Sequence, residues 1–120
     1  MDRTFLLFGA VAAFLAVTLG AFGAHGLRGR LSPEMLAVFE TGVRYHMYHA
    51  LALILVGLIM GRMGGWLIQT AGWCFVAGIV LFSGSLYALA LSGVTVLGVV
   101  TPIGGLVFLI GWACFAFAAI

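Results

Sequence analysis

The reactive side chains of this sequence crowd into one stretch, VRYHMYHALALIL, Val43 to Leu55, where an arginine, two tyrosines and two histidines stand against an apolar run. Histidines can ligate a metal, carry a proton or make hydrogen bonds on either ring nitrogen, and an arginine can fix an anionic head group. His46 and His49 are spaced i, i+3, close enough on a helix to share one ion, and His25 could approach from a neighbouring helix end. The helical wheel objects to a metal: His46 shares the face of Phe39 and Val43, whereas His49 lies about 60° away beside Gly42 and Tyr45. Haem would need two axial ligands from facing helices at matching depth, and only His25 with His49 qualifies for a test. Hydrogen-bonded structural or ligand-contacting histidines are therefore the expected roles, with no metal and no cofactor implied.

Enzymatic chemistry has less to stand on. No serine, cysteine or carboxylate sits in a nucleophile motif, and Glu40 is the one acid near the group, placed to pair with Arg44 in the favourable acid-first i, i+4 order. General acid–base work by His49 stays open. Cys74 and Cys114 fall at comparable depth on two spans, where reduced thiols are the default and a disulfide is the alternative.

Composition sets what must carry these groups. With 65% apolar and 7% charged residues and a mean hydropathy of +1.31, the chain lacks the polar surface of a soluble domain. A bilayer core about 30 Å thick takes roughly 20 helical residues per crossing, and four such pieces are present: Thr4 to Ala24, Met47 to Gly61, Trp66 to Leu91 and Gly98 to Ile120. The expected architecture is an all-α four-helix transmembrane bundle, a single domain over residues 1–120. The first apolar run exceeds the roughly 7–15 residues of a signal-peptide core, so it is expected to be retained. A net charge of +2 with scattered arginines gives no footprint for nucleic acid. Arg28, Arg30 and Arg44 against Arg3 and Arg62 favour a cytoplasmic first loop by a margin of one.

The second span begins before its apolar run. Ser32, Pro33 and Glu34 supply a capping hydroxyl, a first-turn proline and an acid at the positive end of the helix dipole, so the helix should start near Pro33. Met35, Leu36, Phe39, Val43, His46 and Ala50 then share one face, while Glu40, Arg44 and Tyr48 fall on another. This amphipathic extension should lie in the interface or protrude beyond it, with Gly42 the place for any bend.

Glycines and other small residues fall in stripes: Gly9, Ala13, Ala16, Gly20 and Gly23 in span one, Ala71, Gly78, Ser85 and Ser92 in span three, and Gly104, Gly111 and Ala118 in span four. The seven-residue interval is that of near-antiparallel helices in close backbone contact. It serves packing inside one chain or, in a homo-oligomer, between chains.

Four-span topology gathers the polar elements at one end of the bundle. His25, Glu40, Arg44, Tyr45, His46, His49, Ser83, Ser85, Tyr87 and Thr101 all map to the half on the first-loop side, while the other half keeps Trp66, Gln69, Trp73, Trp112 and the cysteines. A polar cluster in one leaflet is expected, with His49 at its floor and Tyr45, Ser83, Ser85 and Tyr87 as the partners of its ring. The blocks LGAFGAHGL, FETGVRYHMYHALAL, FSGSLYALALSG and LGVVTPIGGLVFLIGW resemble those of the domain of unknown function 423 family, whose eukaryotic relatives include transmembrane protein 256. That resemblance implies a small integral protein of the bacterial cytoplasmic membrane and no activity. Two classes of function remain: a module that binds or moves a lipid-like or quinone-like amphiphile at the cluster, and a structural or assembly protein whose polar groups only satisfy helix ends. A cleft beside His49 would favour the first, and a closed, fully paired cluster the second.

Overall fold

The computed structural model describes residues 2–120. It contains four helices long and apolar enough to cross a membrane, with no strand among the described residues beyond an isolated bridge between Arg28 and Leu31. We label them α1 (Asp2–His25), α2 (Pro33–Met63), α3 (Gly65–Ser92) and α4 (Thr95–Ala118).

Helix α2 is the axis. Ser32, in extended conformation, accepts a hydrogen bond from the Met35 amide, and Pro33 opens the first turn. Its 31 residues correspond to about 46 Å at 1.5 Å per residue, which matches the 47 Å long dimension of the molecule. The helix runs unbroken through Gly42. That glycine has a packing duty instead: a Cβ there would meet the Tyr87 ring at 2.8 Å. The first turns of α2 place Phe39 in a second apolar core with Leu27 and Ala90, while Glu34, Glu40 and Arg44 stay exposed.

Close backbone approach fixes the remaining helices, as expected where lipid gives no hydrophobic drive to helix contact. On α1, Gly9 abuts the Ala50 carbonyl and Ile54, and Gly23 abuts the Phe39 ring. Between α3 and α4 the seam is closer still. Gly78 receives the Phe108 ring, Gly111 receives the Phe75 ring, and a Cβ at Gly104 would collide with the Phe82 backbone nitrogen. The stripes are thus used within one chain along much of their length. A main apolar core of Phe5, Leu53, Val56, Ile68, Phe75 and Phe108 fills the half of the bundle away from the first loop.

Helix α3 departs from regularity at Ile79–Ser83, a π turn between α-helical Gly65–Gly78 and Gly84–Ser92. Its wide turn closes through the Gly84 amide to the Ile79 carbonyl. Such turns concentrate at functional sites. Helix α4 begins with a 3₁₀ stretch, Thr95–Val99. Tandem glycines, Gly64 and Gly65, at φ +56° and +83°, turn the chain directly from α2 into α3.

Candidate functional site

The two histidines of α2 are both buried, and they face different helices. His49 is closed in by α4. Its ring stacks on Phe108 at a centroid distance of 3.5 Å and an interplanar angle of 9°, with Phe75 at 5.5 Å. The Trp112 indole N–H donates to His49 Nε2 at 3.0 Å, and His49 Nδ1 lies 2.7 Å from the Tyr45 carbonyl oxygen. An indole nitrogen only donates and a carbonyl oxygen only accepts, so this arrangement defines a neutral ring protonated at Nδ1, with both nitrogens satisfied.

His46 turns toward α1 and α3. Its Nδ1 shares a 2.8 Å hydrogen bond with the Tyr87 hydroxyl. The same imidazole lines a groove of about 430 Å³, walled by Leu7, Phe8, Val11, Ala12 and Leu15 of α1 and by Val76, Ile79 and Val80 of α3, with Leu53 of α2. The volume is within the roughly 300–1,000 Å³ of small-molecule sites. Edge contacts of Phe5 and Phe8 with Trp73, at 5.1 and 5.9 Å, hold α1 and α3 together on the side of the groove toward the start of α1.

The other expected site residues do not join one cluster. Ser83 donates to the Gly42 carbonyl at 2.7 Å. Ser85 pairs with Thr101 at 2.6 Å and with the Phe82 carbonyl at 2.9 Å. Among the described residues no buried side-chain nitrogen or oxygen lacks a partner. The expectation that Arg44, Tyr45 and His25 point into a shared polar group is corrected. His25 ends α1 exposed, and Glu40 and Arg44 occupy the exposed face of α2, where no salt bridge joins them among the described residues. Tyr45 is 38% exposed, its ring against Phe82 and Tyr48, and it serves His49 through its carbonyl and not its hydroxyl.

Of the partners expected for His49, Tyr45 is met through its backbone carbonyl, and the other three are corrected. Tyr87 belongs to His46, Ser83 and Ser85 belong to Gly42 and Thr101, and the residue that reaches His49 is Trp112. Helix lengths account for the contact with Trp112: His49 lies about 24 Å along α2 from Pro33, and Trp112 about 26 Å along α4 from Thr95, so they meet at one depth. No group of three or more metal-ligating side chains forms among the described residues. His46 is paired with Tyr87, His49 is closed by Trp112 and Phe108, and His25 is exposed at the end of α1, so His25 and His49 are not brought together as a facing pair. Cys74 and Cys114 are free, half-buried thiols.

Four apolar helices knit by glycine contacts, with a few paired polar groups and a lateral apolar groove, define a small polytopic membrane protein. A family model described as a protein of unknown function (DUF423) matches residues 19–105, and the chain belongs to that family. It is similar to the UPF0382 membrane protein YwdK of Bacillus subtilis, 50% identical over 119 residues covering 98% of this chain and 97% of the relative. The UPF0382 membrane protein SAB0533 of Staphylococcus aureus is 50% identical over 113 residues, covering 92% and 89%. SERP0230 of Staphylococcus epidermidis, a further UPF0382 membrane protein, is 48% identical over 121 residues, covering 98% and 96%. No solved structure matches the chain.

Proposed function

We propose that this protein, placed in the bacterial cytoplasmic membrane, binds the hydrocarbon part of a lipid-like molecule in the lateral groove between α1 and α3. The observation that carries the reading is the groove itself: about 430 Å³ of space walled almost wholly by aliphatic and aromatic side chains, with one buried imidazole at its floor. Small-molecule sites have this make-up, mainly apolar walls with few orienting polar groups. The sequence pointed to His49 as the ligand-contacting residue. With that ring closed by Trp112 and Phe108, the binding role passes to His46 three positions earlier.

A second reading has an observation of its own. The pairing of Ser83, Ser85, Thr101, Tyr87 and His49 inside the fold favours a structural or assembly protein whose polar groups serve only to orient helices. Native mass spectrometry of gently extracted protein separates the two. Binding predicts a retained lipid-class mass that Val80→Trp, filling the groove from an exposed position, removes, while Leu109→Trp on the outer face of α4 leaves it. A bare mass for all three proteins supports the structural reading, and the same spectrum reports whether the chain is a homo-oligomer.

A further inference from the structure

Resting on the groove-binding reading, we infer that the occupant is an uncharged lipid bearing a carbonyl or hydroxyl oxygen that hydrogen-bonds to His46, and not a phospholipid. Complementarity of charge is the first ground. Among the described residues no arginine, lysine or carboxylate lines the groove, and His46 is the one hydrogen-bonding side chain among them. Arg44, two positions from His46, projects from the exposed face of α2, about 200° round the wheel. A phosphate in this groove would have no counter-ion.

Depth is the second ground. His46 stands about 20 Å along α2 from Pro33, and the α1 wall runs from Leu7 to Leu15, within the apolar interior of a core about 30 Å thick. A charged group there is heavily penalised without a partner, whereas one neutral oxygen with one hydrogen-bond partner is tolerated.

The ring geometry supplies the third. Tyr87 occupies Nδ1 of His46, which leaves Nε2 as the ring nitrogen available to the groove that the imidazole lines. A carbonyl accepts from an Nε2–H, and a hydroxyl fits either tautomer. From that contact a hydrocarbon chain extends between Val11 and Val76 toward the Phe8–Trp73 contact. Tyr87 also touches Phe39 at 5.0 Å, so the imidazole is braced from the side opposite the groove. The site has the chemistry of a receptor for a quinone ring or a long-chain alcohol.

The test uses nanodiscs containing phosphatidylcholine, phosphatidylglycerol and either menaquinone-4 or phytol, with bound molecules counted by native mass spectrometry. The wild-type chain is expected to retain menaquinone-4 or phytol in preference to phosphatidylglycerol. His46→Leu should lower that retention about tenfold, as loss of one hydrogen bond near 1.4 kcal/mol would. The double variant His46→Leu/Tyr87→Phe replaces both partners by apolar groups, guarding against a folding defect from a stranded tyrosine hydroxyl, and should show the same loss. For menaquinone-4, the infrared carbonyl stretch should shift to lower frequency in the wild type and not in the double variant. Preference for phosphatidylglycerol, or equal retention by wild type and double variant, overturns the inference. If that retention still disappears with Val80→Trp, the groove reading survives alone; if nothing is retained by any form, both fall.

Discussion

His46 and His49 are the same residue type on the same helix, three positions and about 60° apart, yet the structure gives them opposite surroundings. His49 has both nitrogens taken inside the protein and its ring pressed on Phe108. His46 has one nitrogen held by Tyr87 and an edge on an apolar groove. The difference comes from the neighbouring helices. On the α4 side, glycines at 78, 104 and 111 admit Phe108, Phe82 and Phe75 so closely that no space remains. On the α1 side, Phe5 and Phe8 touch Trp73 at one end of α1, and the groove lies along the α1 wall beyond that contact. A motif of adjacent histidines therefore has no single role in a membrane bundle; each ring takes the role its facing helix permits.

The contrast can be broken most severely from the closed side. Gly104→Leu would drive a side chain into the backbone of Phe82, which cannot yield without parting α3 from α4. The expected cost is about 3 kcal/mol or more, read as loss of the monodisperse folded species in detergent, with Leu109→Ala unaffected. His49→Ala should come next. It leaves a cavity against Phe108 and strips the Trp112 N–H of its acceptor, for about 2–4 kcal/mol, measured by thermal unfolding in detergent and by a change in tryptophan emission that is absent in a Trp112→Phe background. His46→Leu should destabilise by about 1 kcal/mol, since only the Tyr87 hydroxyl is stranded; a loss equal to that of His49→Ala would erase the distinction drawn between the two rings. The smallest effect is a labelling difference. An apolar carbene reagent generated in the membrane should mark Val11 and Val80 and spare His49 and Phe108, as mapped by peptide mass spectrometry.

Much of this arrangement was legible beforehand, for physical reasons. The Ser32-Pro33-Glu34 start of α2 and the small residues of α3 and α4 are local or periodic signals, and a bilayer allows few ways to satisfy a backbone. The 60° offset between the histidines was also readable. Their partners are not, because nearness to a loop in sequence does not report depth, and a helix that starts at Pro33 brings His49 level with Trp112. Arg44 and Tyr45 stand beside the histidines in sequence, but the exposed face of α2 accommodates them at lower cost than the interior. The π turn gave no signal at all: Ile79, Val80, Leu81 and Phe82 are apolar in any register, so the run is compatible with either helix type.

That turn has a consequence for how the sequence of α3 maps onto space. In an unbroken α-helix Val76, Val80, Ser83 and Tyr87 would form one stripe, since 76 to 83 and 80 to 87 are each two turns. Here the stripe is cut. Val76 and Val80 face the groove toward α1, whereas Ser83 and Tyr87 reach α2 at Gly42 and His46. The wide turn takes one residue more than a regular turn, so the two halves of α3 are out of phase by about 100°. Closing this run as a regular α-helix at its present length would re-phase everything downstream and carry Ser83, Ser85 and Tyr87 away from their partners together, whereas excising one residue would let the regular turn form with those side chains still in place, so the wide turn is the means by which the extra residue between Gly78 and Ser83 is absorbed.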